Sequence, residues 1–379
     1  QAGDTLYVEK GKWIGRIGTI TKDLTIIAAQ NDCQEAASAG VTIDGHDTSS
    51  SFGGVAEIGP EVDVTFVNLT LTNGDATEGG ILYVKNANLI LDSTNLTFGN
   101  ASKSGGGLQL VENSTAVMKN NSEIVNCSAV DEGAVGGGVA MFDSHLSLYD
   151  TSRIGDYLEG NLSTLSGGGV YIDGGTLTLH DTSRIRSNQA YDYGGGIFAL
   201  GGATVTLQDS ASIGYVFASA NNMAADGAGI FLEGNGTSLV MEDNSTIQNN
   251  TAGGYGGGVF IRAGSRLSMN SASIIDNDAV NRGGGIYTQD AARVDIDNGS
   301  LIANNRTTDS LGTGGGLYIY GDSVTITITH SSVMTNTADY YGGVRIFGDQ
   351  STSQLILESG SSISYNEATV GDGGGIGVF

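Results

Sequence analysis

Proline and tryptophan each occur once in the 379 residues, cysteine twice and histidine four times, and 16 basic residues face 41 acidic ones. One proline excludes collagen, which needs glycine at every third position together with abundant proline. A hydrophobic share of 39% excludes plain disorder, so the chain has a core. The formal charge of -25 repels nucleic acid and anionic lipid surfaces, which removes both as partners. No apolar run is long enough to span a bilayer, and the chain opens on Gln1, as expected of a mature secreted protein whose signal peptide has gone. Cys33 and Cys127 lie 94 residues apart in a chain large enough to need no disulfide staple. Neither they nor His46, His145, His180 and His330 have paired metal spacing, so no metal site is expected.

Glycine is what the chain has in excess, at 61 residues. Gly-Gly-Gly-aliphatic recurs at 105–108, 136–139, 167–170, 194–197, 256–259, 283–286, 314–317 and 373–376, and Gly227-Ala228-Gly229-Ile230 and Tyr341-Gly342-Gly343-Val344 fill the gaps. The spacings run from 27 to 33 residues, with a mean near 30. Each unit then repeats one order: an aliphatic strand, a Gly turn, a Leu-x-Leu strand such as Leu177 and Leu179, and a third short strand. A unit this small cannot bury its apolar side alone and must stack on copies of itself. The reading is an all-β, single-domain parallel β-helix with three short strands per coil, of about 10–12 coils and roughly 50–60 Å long at the ladder spacing. Residues 1–65 read as an N-terminal cap with the first coils, Trp13 and Cys33 belonging to the cap, and residues 66–379 as repetitive coils of the same solenoid. The chain stops on what would be the first strand of a new coil, which predicts either a longer natural chain or a subunit stacked there.

Before the triplets stands aliphatic-x-x-Asn, at Asn188, Asn250, Asn277, Asn305, Asn336 and Asn366. Stacked asparagines at a coil corner can bond side chain to side chain along the rod, so these six are read as a structural ladder. The glycines are expected where a Cβ would obstruct the turn. Twelve N-x-S/T sequons, at Asn68, Asn95, Asn100, Asn113, Asn120, Asn126, Asn161, Asn235, Asn244, Asn249, Asn298 and Asn305, permit glycosylation without showing it.

These repeats resemble those of the polymorphic outer membrane proteins of bacterial surfaces, which pair a GGA-aliphatic motif with Phe-x-x-Asn; here the pair is GGG with Ile or Val-x-x-Asn, over about residues 66–379. The opening stretch, GDTLYVEKGKWIGRIGTITKDLTIIAA followed by GVTIDG, resembles the first coils of pectate-lyase-like β-helices. The resemblance implies a right-handed parallel β-helix displayed outside the cell, for adhesion or as a structural layer.

Two positions after the triplets, six successive units carry Tyr171, Phe198, Phe231, Phe260, Tyr287 and Tyr318. Their aliphatic neighbours point inward, so alternation sends the rings outward, and Gln109 and Arg345 at the same place argue against burial; the alternative is an internal aromatic stack. An exposed aromatic strip would contact a partner: a polysaccharide, a surface receptor, another copy of the rod, or a covering loop of the same chain. Replacing Tyr287 and Tyr318 by Ala would then weaken that contact and spare the fold. A second group, Tyr191, Tyr193, Tyr255, Tyr340 and Tyr341, is placed on corner loops.

Polysaccharide cleavage is the competing class. It needs facing carboxylates, or acidic groups holding Ca²⁺ beside a base. All six lysines lie at or before Lys119, Asp44 and Asp47 around His46 read as a turn, and Arg262, Arg266 and Arg293 with Asp290, Asp295 and Asp297 read as surface ion pairs. Thr-x-Thr pairs for ice binding are interrupted by Arg266 and Arg293. No catalytic residue and no cofactor is assigned, Ca²⁺ has no defined site, and the expected role is binding or self-association outside the cell.

Overall fold

A computed structural model describes residues 3–29, 40–46, 49–158, 160–216, 221–348, 352–371 and 373–379. Cys33 and Asp47 lie outside the described residues. Among the described residues there is no helix, and parallel strands fill three sheets of 24, 12 and 13 strands. The chain is a solenoid of about 12 coils.

One coil shows how the sequence builds all of them. Gly256 bends the chain with φ of 65°, and the strands Val259–Arg262, Arg266–Asn270, Ser273–Ile275 and Asp278–Ala279 follow before the next triplet at Gly283. The first two strands share the 24-stranded sheet. In two coils, Val139–Leu148 and Val170–Leu179, they run on as a single strand of ten residues. A strand before each triplet, five residues at Asn100–Ser104 and two in the later coils, adds a short third face that the sequence reading passes over, because two residues carry no alternation.

Registers place equivalent residues directly over each other, as in Ser238–Arg266–Arg293–Thr325 or Thr246–Ser273–Leu301–Ser332. Inward Leu, Ile and Val side chains join into one continuous core from Ile20 to Val344. Other corners are closed by buried serines: Ser265 Oγ donates to Arg262 O at 2.7 Å in its own coil and to Leu232 O at 3.2 Å in the coil before. The 65/66 boundary falls within the strand Asp63–Val67, and the pairing continues across it. Trp13 is half exposed on Gly11–Ile14 and donates Nε1–H to Glu9 O instead of entering the core.

Each triplet residue has its own reason to be glycine. The first is left-handed, with φ between 59° and 69° from Gly105 to Gly314. At the second and third, the coils approach too closely for a side chain: a Cβ on Gly257 would lie 2.3 Å from Asp278 O, and one on Gly258 2.7 Å from Gly285 O. Tyr341 takes the first position with φ of 55°, a conformation costly for a bulky residue.

Candidate functional site

The aromatic row is real and in register. Tyr171 pairs with Phe198, Phe198 with Phe231, Phe231 with Phe260, Phe260 with Tyr287, and Tyr287 with Tyr318. Val170, Ile172, Val259 and Ile261 on either side belong to the lumen core, whereas the rings form a separate cluster, so they point away from the lumen. Successive centroids are 5.6, 5.3, 4.5, 4.6 and 5.4 Å apart, following the strand ladder.

The row is nevertheless not exposed, which corrects the expected contact surface. Phe231 is 0% accessible, Tyr318 1%, Phe260 3%, Tyr287 4% and Phe198 6%, and Tyr171 is half-buried. The covering comes from the chain itself. Tyr193 and Tyr255, each directly before a triplet, pack on one edge of the stack, and Leu200 and Tyr320 on the other. Arg262 lies 4.9 Å over the Phe231 ring and pairs with Glu233 at 2.9 Å; Arg282 and Arg345 lie 5.2 and 5.8 Å from the Tyr318 ring. Such cations over ring faces add to the burial of the rings. Gln109, which argued for exposure, is itself buried, because Ser104 Oγ and Glu78 Oε2 satisfy its amide at 2.5 and 3.0 Å. Of the second tyrosine group, Tyr191 is the clearly exposed member.

Burial pushes the Tyr171 hydroxyl up to about 12, with Asp173 and Glu233 adding to it. Burial raises Tyr287 and Tyr318 in the same direction. These phenols therefore stay neutral and supply no base. Of the carboxylates along the stack, Asp226 is raised by burial, and Asp173 by burial and then by Asp143.

The asparagine ladder is present and longer than the sequence pattern. Nδ2 of each residue donates to Oδ1 of the next along Asn161, Asn188, Asn222, Asn250, Asn277, Asn305, Asn336 and Asn366, at 2.9–3.2 Å. Each Nδ2 also reaches a carbonyl of the preceding coil, as Asn277 does to Ile247 O at 3.0 Å, and each Oδ1 from Asn277 to Asn366 accepts the backbone N–H of the asparagine before it. Asn161 and Asn222 escape the aliphatic-x-x-Asn pattern because six and eight residues follow Ile154 and Ile213, where the other coils have two. Their signal is the Asn directly before the short third-face strand.

The ladder and the turns between strands explain most sequons. Asn161 and Asn305 are ladder residues, at 1% and 0% accessibility, and Asn68, Asn113, Asn120, Asn126, Asn244, Asn249 and Asn298 sit at turns with φ of 53–68°. Asparagine is the non-glycine residue that enters that region most readily. Corner chemistry thus accounts for nine of the twelve sequons.

The remaining candidates do not assemble a site. Asp44 is buried, pairs with Lys12 at 2.5 Å and accepts the His46 N–H at 3.0 Å, the turn expected of it. Arg262 goes to Glu233 and Arg293 to Asp295 at 2.7 Å, so the mixed cluster is split into separate pairs. Cys127 is a buried free thiol, pushed up to about 12 by its burial. Among the described residues, no three His, Cys, Asp or Glu side chains gather as metal ligands. A family model described as the right handed beta helix region matches residues 168–359. No curated protein and no solved structure matches the chain.

Proposed function

Since the chain belongs to the right-handed β-helix family, we propose that it is a non-catalytic rod of an extracellular surface, an adhesin or a subunit of an extracellular fibre or layer. The observation that carries this reading is the self-satisfied asparagine ladder, which joins coils from Asn161 to Asn366. Together with the sealed aromatic stack it commits the polar and aromatic side chains of the central coils to holding the rod in one conformation. Its partner is an extracellular polysaccharide, a surface receptor or a further copy of the rod, engaged through the outer columns and the loops that leave them. Incubation with acidic and neutral polysaccharides should release no reducing or unsaturated ends; their appearance would refute the reading.

One arrangement favours the alternative, polysaccharide cleavage. Asp173 and Glu233 stand in one outward column on either side of Leu200. Burial and then Asp143 raise Asp173, and Arg262 lies 2.9 Å from Glu233. Two carboxyl groups on one face, one of them raised, are the kind of pair that inverting glycoside hydrolysis uses. If ends do appear, Asp173→Asn should abolish them.

A further inference from the structure

The two outward faces of the 24-stranded sheet are finished differently. Over the first strand of each coil, the aromatic row is sealed by side chains of its own chain. Over the second strands, from Asp63–Val67 to Arg266–Asn270, the side chains that alternate with the lumen core stand exposed or half-exposed in straight columns. The column at the start of these strands opens on Asp63 and closes on Arg266, and the six residues between them include no Asp, Glu, Lys or Arg. The next outward column runs from Thr65 to Ser268, and none of its eight residues is charged. Neither Asp63 nor Arg266 has an ion-pair partner among the described residues.

This pattern is its own complement when reversed. A two-fold axis lying along the strands, midway between the coils of His145 and Thr176, lays a second copy on the first with each column over itself and the coil order inverted. Asp63 then meets Arg266 at both ends, Ile90 meets Val240, Val117 meets Thr206, and Ser147 meets Thr178. One coil further out Asp23, whose Oδ1 accepts the Asp63 N–H at 3.0 Å, meets Arg293, which also serves Asp295 at 2.7 Å. In the third column Tyr149 and His180, stacked at 4.3 Å, meet the same two rings of the other copy. The like-charge match in that column is Asp92 with Glu242, and Lys119, 3.3 Å from Asp92, stands beside it. Copies lying in the same direction would set acidic end against acidic end, so the charges select the antiparallel pair. Ten coils of five-residue strands cover about 16 by 48 Å, close to the roughly 800 Å² that each partner gives to a stable interface.

We propose that this face is the contact of an antiparallel dimer, two copies of the rod packed sheet on sheet. The proposal rests on reading the rod as a binding protein and makes a second copy its partner: release of glycan ends would refute that reading alone, and a monomeric rod would refute this one alone. The test is sedimentation equilibrium of the full chain at about 50 μM, above the micromolar end of the range for interfaces of this area. The unmodified chain should show twice its mass of 38.7 kDa. Asp63→Arg and Arg266→Asp, both at exposed positions, should each weaken the dimer by about a hundredfold, since like charges then meet at two symmetric ends and each contact is worth about tenfold. Circular dichroism checks that each variant keeps its strands. Combining the two exchanges should restore the dimer, because the swapped charges oppose each other again across the antiparallel axis. Overturning results are a single-chain mass for the unmodified protein, a dimer untouched by both single exchanges, as contact through the rod ends would give, or a folded double variant that stays monomeric.

Discussion

Replacing Phe231 by Ala should destabilise the rod by about 3–5 kcal/mol, the range for removing a fully buried aromatic ring. The ring is 0% accessible, stacked 5.3 Å from Phe198 and 4.5 Å from Phe260, with Arg262 4.9 Å above it. Its loss opens a gap between two neighbours held by strand register and removes the face on which the guanidinium rests. Tyr171→Ala, at the half-buried end of the stack, should cost clearly less. Denaturant unfolding of both variants measures the difference. Because each coil touches only its neighbours, the Phe231 variant should also unfold in a broader or two-step transition. A loss below about 1 kcal/mol, in the range of surface substitutions, would mean that the stack is open to solvent. The same burial reverses the expectation for Tyr287 and Tyr318: their joint replacement by Ala should unfold the adjoining coils.

Gly285→Ala should cost as much or more. Its Cβ would stand 2.7 Å from Gly316 O and 2.9 Å from Asn305 Nδ2. Neither neighbour can yield: the first is backbone of the next coil, and the second is fixed by bonds to Ile274 O at 2.9 Å and Asn336 Oδ1 at 3.0 Å. Moving Asn305 leaves buried donors and acceptors unpaired on two coils, at about 1–3 kcal/mol for each group. Gly253→Ala is the matched control, since its φ is not left-handed and its nearest atom would be 3.7 Å away. Thermal unfolding and limited proteolysis should separate the two variants sharply; equal behaviour would remove close coil approach as the reason for the triplets.

The third glycine of the triplet and the ladder asparagine share one space, and this decides how far the repeat could be read. From Gly138 with Asn161 to Gly343 with Asn366, a side chain on the corner faces a bare glycine, and the motif is legible. In the earlier coils the solution is inverted. Gly99 stands at the corner and Ile81 in the third position, and a Cβ on Gly99 would lie 2.6 Å from Ile81 Cγ1. The filled volume is similar but the letters are exchanged, so the first coils looked unlike the rest although Gly53 and Gly79 make the same left-handed bend. Cys127 with Gly107 marks the change-over: Cys127 donates its backbone N–H to Asn161 Oδ1 at 2.9 Å and opens the ladder.

The direction of the aromatic row was legible from alternation, because that is a property of one strand. Its accessibility was not. Covering depends on Tyr193 and Tyr255, which approach from the corner of the same face, and on Arg262, Arg282 and Arg345, whose long side chains cross from one column to another. Gln109 misled for a related reason, since a buried amide is inexpensive once Ser104 and Glu78 bond it.

Dipolar distance measurement between nitroxide labels tests directly whether equivalent residues stand one above another. Thr70, Thr246, Ser273 and Ser332 occupy one column of the 13-stranded sheet, with Thr246, Ser273 and Ser332 six, seven and nine ladder steps from Thr70. With Cys33 replaced by Ser and Cys127 shielded by burial, pairs that include Thr70 should give distances near 29, 34 and 43 Å, a slope of about 4.8 Å per coil. Distances that do not grow in proportion to the number of coils, or that coincide for the three pairs, would contradict the stacked solenoid.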